Sequence, residues 1–350
     1  LGENSICLDL GRGQLLLEYS GEIAAPQKSA DSYQKSQKPL ETEKNYSRQK
    51  YWAIGGGKGG VGKSLLSSNL AWLLAKKRKK KVLAVDLDFG GANLHTCLGL
   101  RQPRYSLGDW LTKKNVHLKD LLCPTEQSGL MLLSGANDPL NVLPLIHERR
   151  DEFMAELQEL DFDDYIFDLG AGTHPMTLFF FNKADTGVLA ILPEPTSVEN
   201  AYRFLKMLYY QRIADSLDKE ELRTLVLTAM QPKNDLGVRV PKDLLNIISR
   251  IDADSAKKME STIEAFHPKL VLNQVRSAQD IEVGKAICSV CRKYFGIQAE
   301  YSGYIDYDQT VWRAVRNLKP AVSAYPNSKL SSHLQKLERT LAGEQKAIYP

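Results

Sequence analysis

The chain has 350 residues, 43% of them apolar and 25% charged, with a formal net charge of +4. That much apolar chain can bury a sizeable core without disulfide or metal staples. No run approaches the roughly 18 apolar residues of a membrane span, and so weak a charge does not by itself mark a nucleic-acid binder. Five cysteines, Cys7, Cys97, Cys123, Cys288 and Cys291, are odd in number and irregularly spaced, as in a reducing compartment. No basic segment, apolar core and cleavage site follow Leu1 in that order, so the expectation is a cytoplasmic protein.

In chain order, residues 1–50 stand apart. Ile6-Cys7-Leu8-Asp9-Leu10 and Gln14-Leu15-Leu16-Leu17-Glu18-Tyr19 flank Gly11-Arg12-Gly13, the pattern of a small hairpin. From Gly21 to Lys50, a run rich in Lys, Gln, Ser, Glu and Pro leaves little to bury, which predicts a disordered tail or linker. From Tyr51 onward, short apolar runs alternate with helical periodicity. Strands are expected at Tyr51–Gly55, Lys81–Asp86, Leu130–Ser134, Tyr165–Asp168, Gly187–Leu192, Lys269–Val275 and Ala299–Ile305. Most are continuously apolar, as in a parallel sheet covered on both faces, and the helices between them complete βαβ units. The fold class is therefore α/β, a doubly wound, mostly parallel sheet. From about Glu199 to Pro268 the pattern is mostly helical. Leu222, Leu225, Val226, Ala229 and Met230 keep helical spacing, although Thr224–Met230 alone reads equally as a strand. Pro241 opens a helix bearing Leu244, Leu245, Ile247, Ile248 and Ile251, and Ala256, Met259, Ile263 and Phe266 mark another, ended by Pro268. This block is an insertion between two sheet strands.

Gly57-Lys58-Gly59-Gly60-Val61-Gly62-Lys63-Ser64 fits the phosphate-loop pattern G-x-x-x-x-G-K-[ST] in full, after a strand and before a helix. Glycines let backbone N–H groups approach phosphate oxygens without a Cβ in the way, and the helix N-terminus adds partial positive charge. Lys63 can bridge the β- and γ-phosphates of ATP, and Ser64 can ligate Mg²⁺. Two further strands end in acids. Val82-Leu83-Ala84-Val85-Asp86-Leu87-Asp88 sends Asp86 and Asp88 to one side by alternation. One can hold the magnesium shell while the other orients an attacking water. Tyr165-Ile166-Phe167-Asp168-Leu169-Gly170-Ala171-Gly172 repeats the arrangement, with Asp168 a candidate magnesium-side acid and the Gly172 N–H a candidate γ-phosphate sensor.

With Lys58 inside it, the loop resembles the deviant phosphate loop of the MinD/ParA ATPases, in the SIMIBI class of P-loop NTPases, which also include the nitrogenase iron protein and Mrp-type carriers. That resemblance implies that Lys58 reaches across a nucleotide-sandwiched dimer onto the partner's phosphates. It makes Asp86 and Asp88 the first switch, with Asp88 positioning the water, and Asp168 to Gly172 the second. Gly90 to Gly99, Pro193 to Asn200, Leu272-Asn273-Gln274-Val275 and Gly303 to Val311 also resemble this family, over about residues 51–342. The branch most resembled is that of the FlhG/FleN flagellar-number ATPases. The resemblance implies that Asn273 and the backbone near Asp306 bound the adenine, although the family usually carries Pro where Asp306 stands. Residues 1–50 lack the Asp-Gln-Ala-x-x-Leu-Arg activation motif of that branch.

Three features compete for function. Mrp-type relatives bridge an iron–sulfur cluster with a C-x-x-C, but here Cys288 and Cys291 fall inside Ile281–Phe295, where Val283, Ile287, Val290, Cys291 and Tyr294 read as one helical face. Lys76-Lys77-Arg78-Lys79-Lys80-Lys81 complements the dipole at the end of the phosphate-loop helix, with a polyanion or membrane contact as its alternative. Leu330, Leu334, Leu337 and Leu341 form a stripe for core packing, the alternative being a membrane-seeking helix. The histidines show no metal-ligand spacing, so no metal beyond Mg²⁺ is expected.

The sequence thus reads as a tail (1–50), a MinD/ParA-like ATPase domain (51–342, helical insertion about 199–268) and a short end (343–350). The expected cofactors are ATP and Mg²⁺, and the expected function is a slowly hydrolysing, ATP-dependent homodimeric switch controlling placement or number of an assembly such as a flagellum, cell pole or division site. A protein partner, unidentified, is implied, with no sequence-specific nucleic acid; location is cytoplasmic, with peripheral contact to the inner face of the plasma membrane as an option. The rivals are an Mrp-type iron–sulfur carrier, a ParA-type DNA partition ATPase and a cobyrinate-synthase-type amidating enzyme, for which no glutaminase domain is visible.

Overall fold

The computed structural model describes residues 6–9, 14–17, 49–135, 142–229, 238 and 241–344. The expected hairpin is present: β1 (Ile6–Asp9) and β2 (Gln14–Leu17) pair antiparallel with Ile6 opposite Leu17. The rest of the expected tail, up to residue 48, lies outside the described residues, as do Met230 and residues 345–350.

The remaining elements follow in order. They are β3 (Lys50–Gly55), α1 (Lys63–Arg78), β4 (Val82–Leu87), α2 (Leu94–Cys97), α3 (Leu107–Thr112), β5 (Cys123–Pro124), β6 (Leu130–Leu133), α4 (Val142–Glu148), α5 (Arg150–Glu159) and β7 (Asp164–Leu169). Next come α6 (Pro175–Lys183), β8 (Thr186–Ile191), α7 (Pro195–Ser216), α8 (Glu220–Ala229), α9 (Pro241–Ile251), α10 (Ala253–Glu264) and β9 (Lys269–Val275). The chain closes with α11 (Ala278–Val290), β10 (Glu300–Asp306), α12 (Thr310–Arg316), α13 (Ala321–Ala324) and α14 (Lys329–Leu341). All seven strands expected beyond Tyr51 are present, with ends displaced by at most one residue. The short β5 escaped the sequence because Cys123-Pro124 has no apolar run to announce it. Thr224–Met230 is helical as far as the described residues go, with Leu225, Val226 and Ala229 packing against the core and Leu227 exposed.

One eight-stranded sheet runs in the order β10-β9-β8-β3-β7-β4-β6-β5, parallel throughout except for the β5–β6 pair. From β3 the chain first builds toward β4 and β6, and after β7 it crosses β3 to build β8, β9 and β10. The carboxyl ends of the parallel strands therefore share one edge, with the change of direction at β3, where ligands bind in such sheets. Among the described residues, four helices, α7 to α10, lie between β8 and β9.

Alternation sorts the strand residues onto two faces. Trp52, Ile54, Val82, Ala84, Ile166, Val188, Ala190, Val271 and Ile305 pack under α1, α13 and α14. Tyr51, Ala53, Leu83, Val85, Tyr165 and Phe167 pack on the other face against an aromatic layer that includes Trp110, Phe153 and Phe180. The leucine stripe Leu330, Leu334, Leu337 and Leu341 is buried in the first of these cores, beside α1. Of the basic run, Arg78 turns back onto Glu338 and Glu344, and Lys81 meets Asp161 at 2.6 Å. Among the described residues no helix is long and apolar enough to cross a membrane.

Candidate nucleotide site

The phosphate loop leaves the buried end of β3 and turns into α1. Gly62 is the helix N-cap in a left-handed conformation (φ 94°), and Gly60 is also left-handed (φ 78°), so both positions favour glycine. Gly57 is demanded by space instead: a Cβ there would stand 2.3 Å from the Asn200 backbone, in the second turn of α7. Gly59 and Gly60 face open space. Lys63 is buried at 7% exposure in the first turn of α1, and Ser64 is half-buried beside it.

The face of the sheet covered by α1 ends in polar groups. Asp86 continues the row Val82, Ala84; Asp168 continues Ile166; Asn273 continues Val271. Asp86 and Asp168 are register partners on neighbouring parallel strands, and both are essentially unexposed. Burial raises the pKa of each carboxyl; the charge of Asp168 adds to the rise at Asp86, while the Ser64 and Ser67 hydroxyls and Lys63 counter it at Asp168. The two acids are otherwise held differently. Asp86 accepts N–H bonds from Asp88 (3.1 Å) and Leu94 (3.0 Å), fastening both ends of the loop that follows β4. Asp168 accepts the Ser67 hydroxyl on Oδ1 at 2.9 Å, and its buried Oδ2 has no hydrogen-bond partner among the described residues. A buried, acceptor-only oxygen beside a serine hydroxyl at the foot of a phosphate loop fits a hydrated divalent cation such as Mg²⁺. Asp88 is half-buried just beyond the strand end and accepts the Gly90 N–H at 3.3 Å.

Comparison with known proteins gives the family of the chain and its fold. Residues 52–321 match the model of the CobQ/CobB/MinD/ParA nucleotide binding domain. The chain belongs to that family. It is 35% identical over 192 residues to the flagellum site-determining protein YlxH of Helicobacter pylori, a match spanning 54% of this chain and 61% of that one, so less than two thirds of that relative is represented. It is 26% identical over 281 residues to the antiactivator FleN of Pseudomonas aeruginosa, covering 80% of this chain and 81% of FleN. Among solved structures, the cell division ATPase MinD of Pyrococcus furiosus superposes with a TM-score of 0.58 at 21% identity, over 85% of this chain and all of that one. MinD of Pyrococcus horikoshii, solved with Mg-ADP, gives 0.57 at 21% identity over 85% of this chain and 98% of that one. These structures share the P-loop NTPase fold.

Within this family member, the remaining expected site residues are already engaged. Lys58 Nζ lies 3.2 Å from Thr196 Oγ1, in the first turn of α7, and 3.7 Å from Glu194, the residue that caps that helix. Both charged side chains are about half exposed, so this ion pair is worth at most ~1 kcal/mol and is readily exchanged. The Gly172 N–H donates to Gly56 O at 3.0 Å, so contact with a phosphate requires it to leave the loop. Asn273 donates to Val61 O at 2.9 Å and sits where a Cβ on Gly62 would be only 2.0 Å from its amide nitrogen. It braces the loop from behind. Asp306 pairs with Lys329, with His333 4.0 Å away, both on α14. Cys288 and Cys291 fall at the junction of α11 with a π-helical turn (Cys291–Phe295), and burial pushes their thiols up to about 11 and about 12.

Sequence reasoning missed several contributors. Ser67 is one helical turn beyond Lys63, a periodicity that would have placed it beside the loop. Cys97, raised to about 12 by burial and then by the Asp168 and Asp86 charges, also lies close to the acids. Glu194, Thr196 and Asn200 belong to a segment whose family resemblance was visible but whose contact with the loop was not. No local pattern announces that contact.

Proposed function

We propose that this protein is an ATP-hydrolysing switch that dimerises around Mg-ATP, and that its product is a changed surface. The observation that carries the reading is the phosphate loop itself, with a buried Lys63 beside two buried carboxylates and a second lysine, Lys58, on its open side. Loop N–H groups from Gly57 to Ser64 and the Lys63 ammonium bind the phosphates. Ser64 and Asp168, with Asp86 behind them, would hold Mg²⁺, which when bound neutralises charge on the β- and γ-phosphate oxygens. Asp88 accepts a hydrogen bond from the attacking water and orients it. Lys58 exchanges Glu194 for the phosphates of a nucleotide on the facing copy. Gly172 senses the γ-phosphate by releasing Gly56, and Asn273 lines the base as well as bracing the loop.

Residues 51–342 form the ATPase domain, and the helices at about 199–268 offer a partner-specific surface. Similarity to YlxH, a flagellum site-determining protein, supports a role in the placement or number of flagella, exercised in the cytoplasm, where contact with the inner membrane face would run through the basic run. Asp88→Ala tests the cycle: ATP binding persists, hydrolysis stops, and sedimentation with ATP finds a trapped dimer. A variant that stays monomeric with ATP removes the switch mechanism.

A further inference from the structure

Ser67 has no part in the reading above. It lies four residues after Lys63 in α1 with its side chain fully buried, and its Oγ stands 2.9 Å from Asp168 Oδ1 and 3.0 Å from the Lys63 carbonyl oxygen. A serine hydroxyl has one proton, so only one of these acceptors receives it at a time. Helical serines commonly return that proton to the carbonyl one turn back. An ionised carboxylate competes better, because charge-assisted hydrogen bonds are about twice as strong as neutral ones. The proton therefore goes to Asp168 whenever that side chain is charged. Oδ1 is then occupied and the carboxylate plane fixed, and Oδ2 is the oxygen without a hydrogen-bond partner among the described residues.

We propose that Ser67 is a positioning residue for the magnesium–nucleotide subsite, pinning Asp168 by Oδ1 so that Oδ2 stays free for the hydrated cation at Ser64. This rests on the proposed reading of the site. Without the hydroxyl, Oδ1 loses the hydrogen bond it accepts from Ser67, and the carboxylate can turn toward Ser64 and Lys63, away from the geometry the cation requires. A purely structural serine, by contrast, would matter only for stability.

Calorimetric titration of ADP, with Mg²⁺ and with EDTA in its place, separates these roles without relying on turnover. Wild type binds ADP more tightly with Mg²⁺. Ser67→Ala keeps its Mg²⁺-free ADP affinity within about twofold but loses roughly tenfold of the Mg²⁺-dependent gain, the scale of one charge-assisted hydrogen bond. Ser67→Cys, which fills the same space with a poor donor, behaves like the alanine variant. Ser67→Thr, which restores the hydroxyl, recovers the gain. If alanine and cysteine variants keep the full Mg²⁺-dependent gain, or lose Mg²⁺-free affinity equally, Ser67 does not position Asp168. A wild-type protein whose ADP affinity ignores Mg²⁺ would instead overturn the site reading beneath it.

Discussion

The two faces of the sheet are made by the same strands and differ in almost everything else. Under α1 the strand residues are small or aliphatic apart from Trp52, and three of the rows end in a polar group: Asp86, Asp168 and Asn273. On the other face the rows carry Tyr51, Tyr165 and Phe167, joined by edge-on contacts such as Phe153–Phe180 and Phe167–Phe180, both at 5.6 Å between ring centroids. Small residues let α1 approach closely, which puts its N-terminus and Lys63 against the strand-end acids. The aromatic face, by contrast, buries large area and carries no charge at the strand ends. One face positions chemistry and the other holds the sheet together, so substitutions on the two should separate binding from stability.

Lys63→Ala is the largest expected break in that comparison. It removes the buried cation facing the phosphates and should abolish ATP binding in a calorimetric titration, with little change in the melting profile. On the aromatic face, Phe153→Ala should cost about 3–5 kcal/mol in denaturant unfolding while the folded protein binds ATP as before. Parallel losses in both assays for either variant would mean that the faces are not separable.

Two smaller effects sharpen the picture at the rim of the site. In the Asp88→Ala background, adding Lys58→Ala should weaken the ATP-locked dimer by roughly 1.5–3 kcal/mol, the worth of a charge-assisted contact, and leave monomer ATP affinity within a few-fold. An undiminished dimer in sedimentation returns Lys58 to the ordinary lysines of an exposed loop. Glu194→Gln is the smallest: it frees Lys58 from a half-exposed partner and should strengthen the dimer by no more than ~1 kcal/mol. A large change in either direction would show that Glu194 does more than hold Lys58.

Much of this was legible in the chain. The phosphate loop could be read because its glycines and lysine must be consecutive to curl around a phosphate. Strand positions came within a residue because strands covered on both faces are continuously apolar. Asp86, Asp88 and Asp168 could be picked out because they interrupt or end such runs. The legible part fades where a residue's role depends on something distant in sequence. Asn273 reads as a strand-end polar residue, yet it reaches 212 positions back to Val61. Asp306 stands where the resemblance puts a base-lining segment, yet Lys329 on α14 claims its carboxylate.

What the sequence by itself determined is the local chemistry: an alternating α/β chain, a loop that can wrap phosphates, three acids at strand ends, and a leucine stripe with helical spacing. These follow from short-range sterics and periodicity, which act within a few residues. Only the tertiary structure decided that Asp86 and Asp168 stand side by side, that Ser67 engages one oxygen of Asp168 and leaves the other free, that α7 crowds Gly57, and that the leucine stripe lies in the core. Strand order and helix docking set those distances. They are fixed by the packing of whole faces against one another, which no run of neighbouring residues encodes.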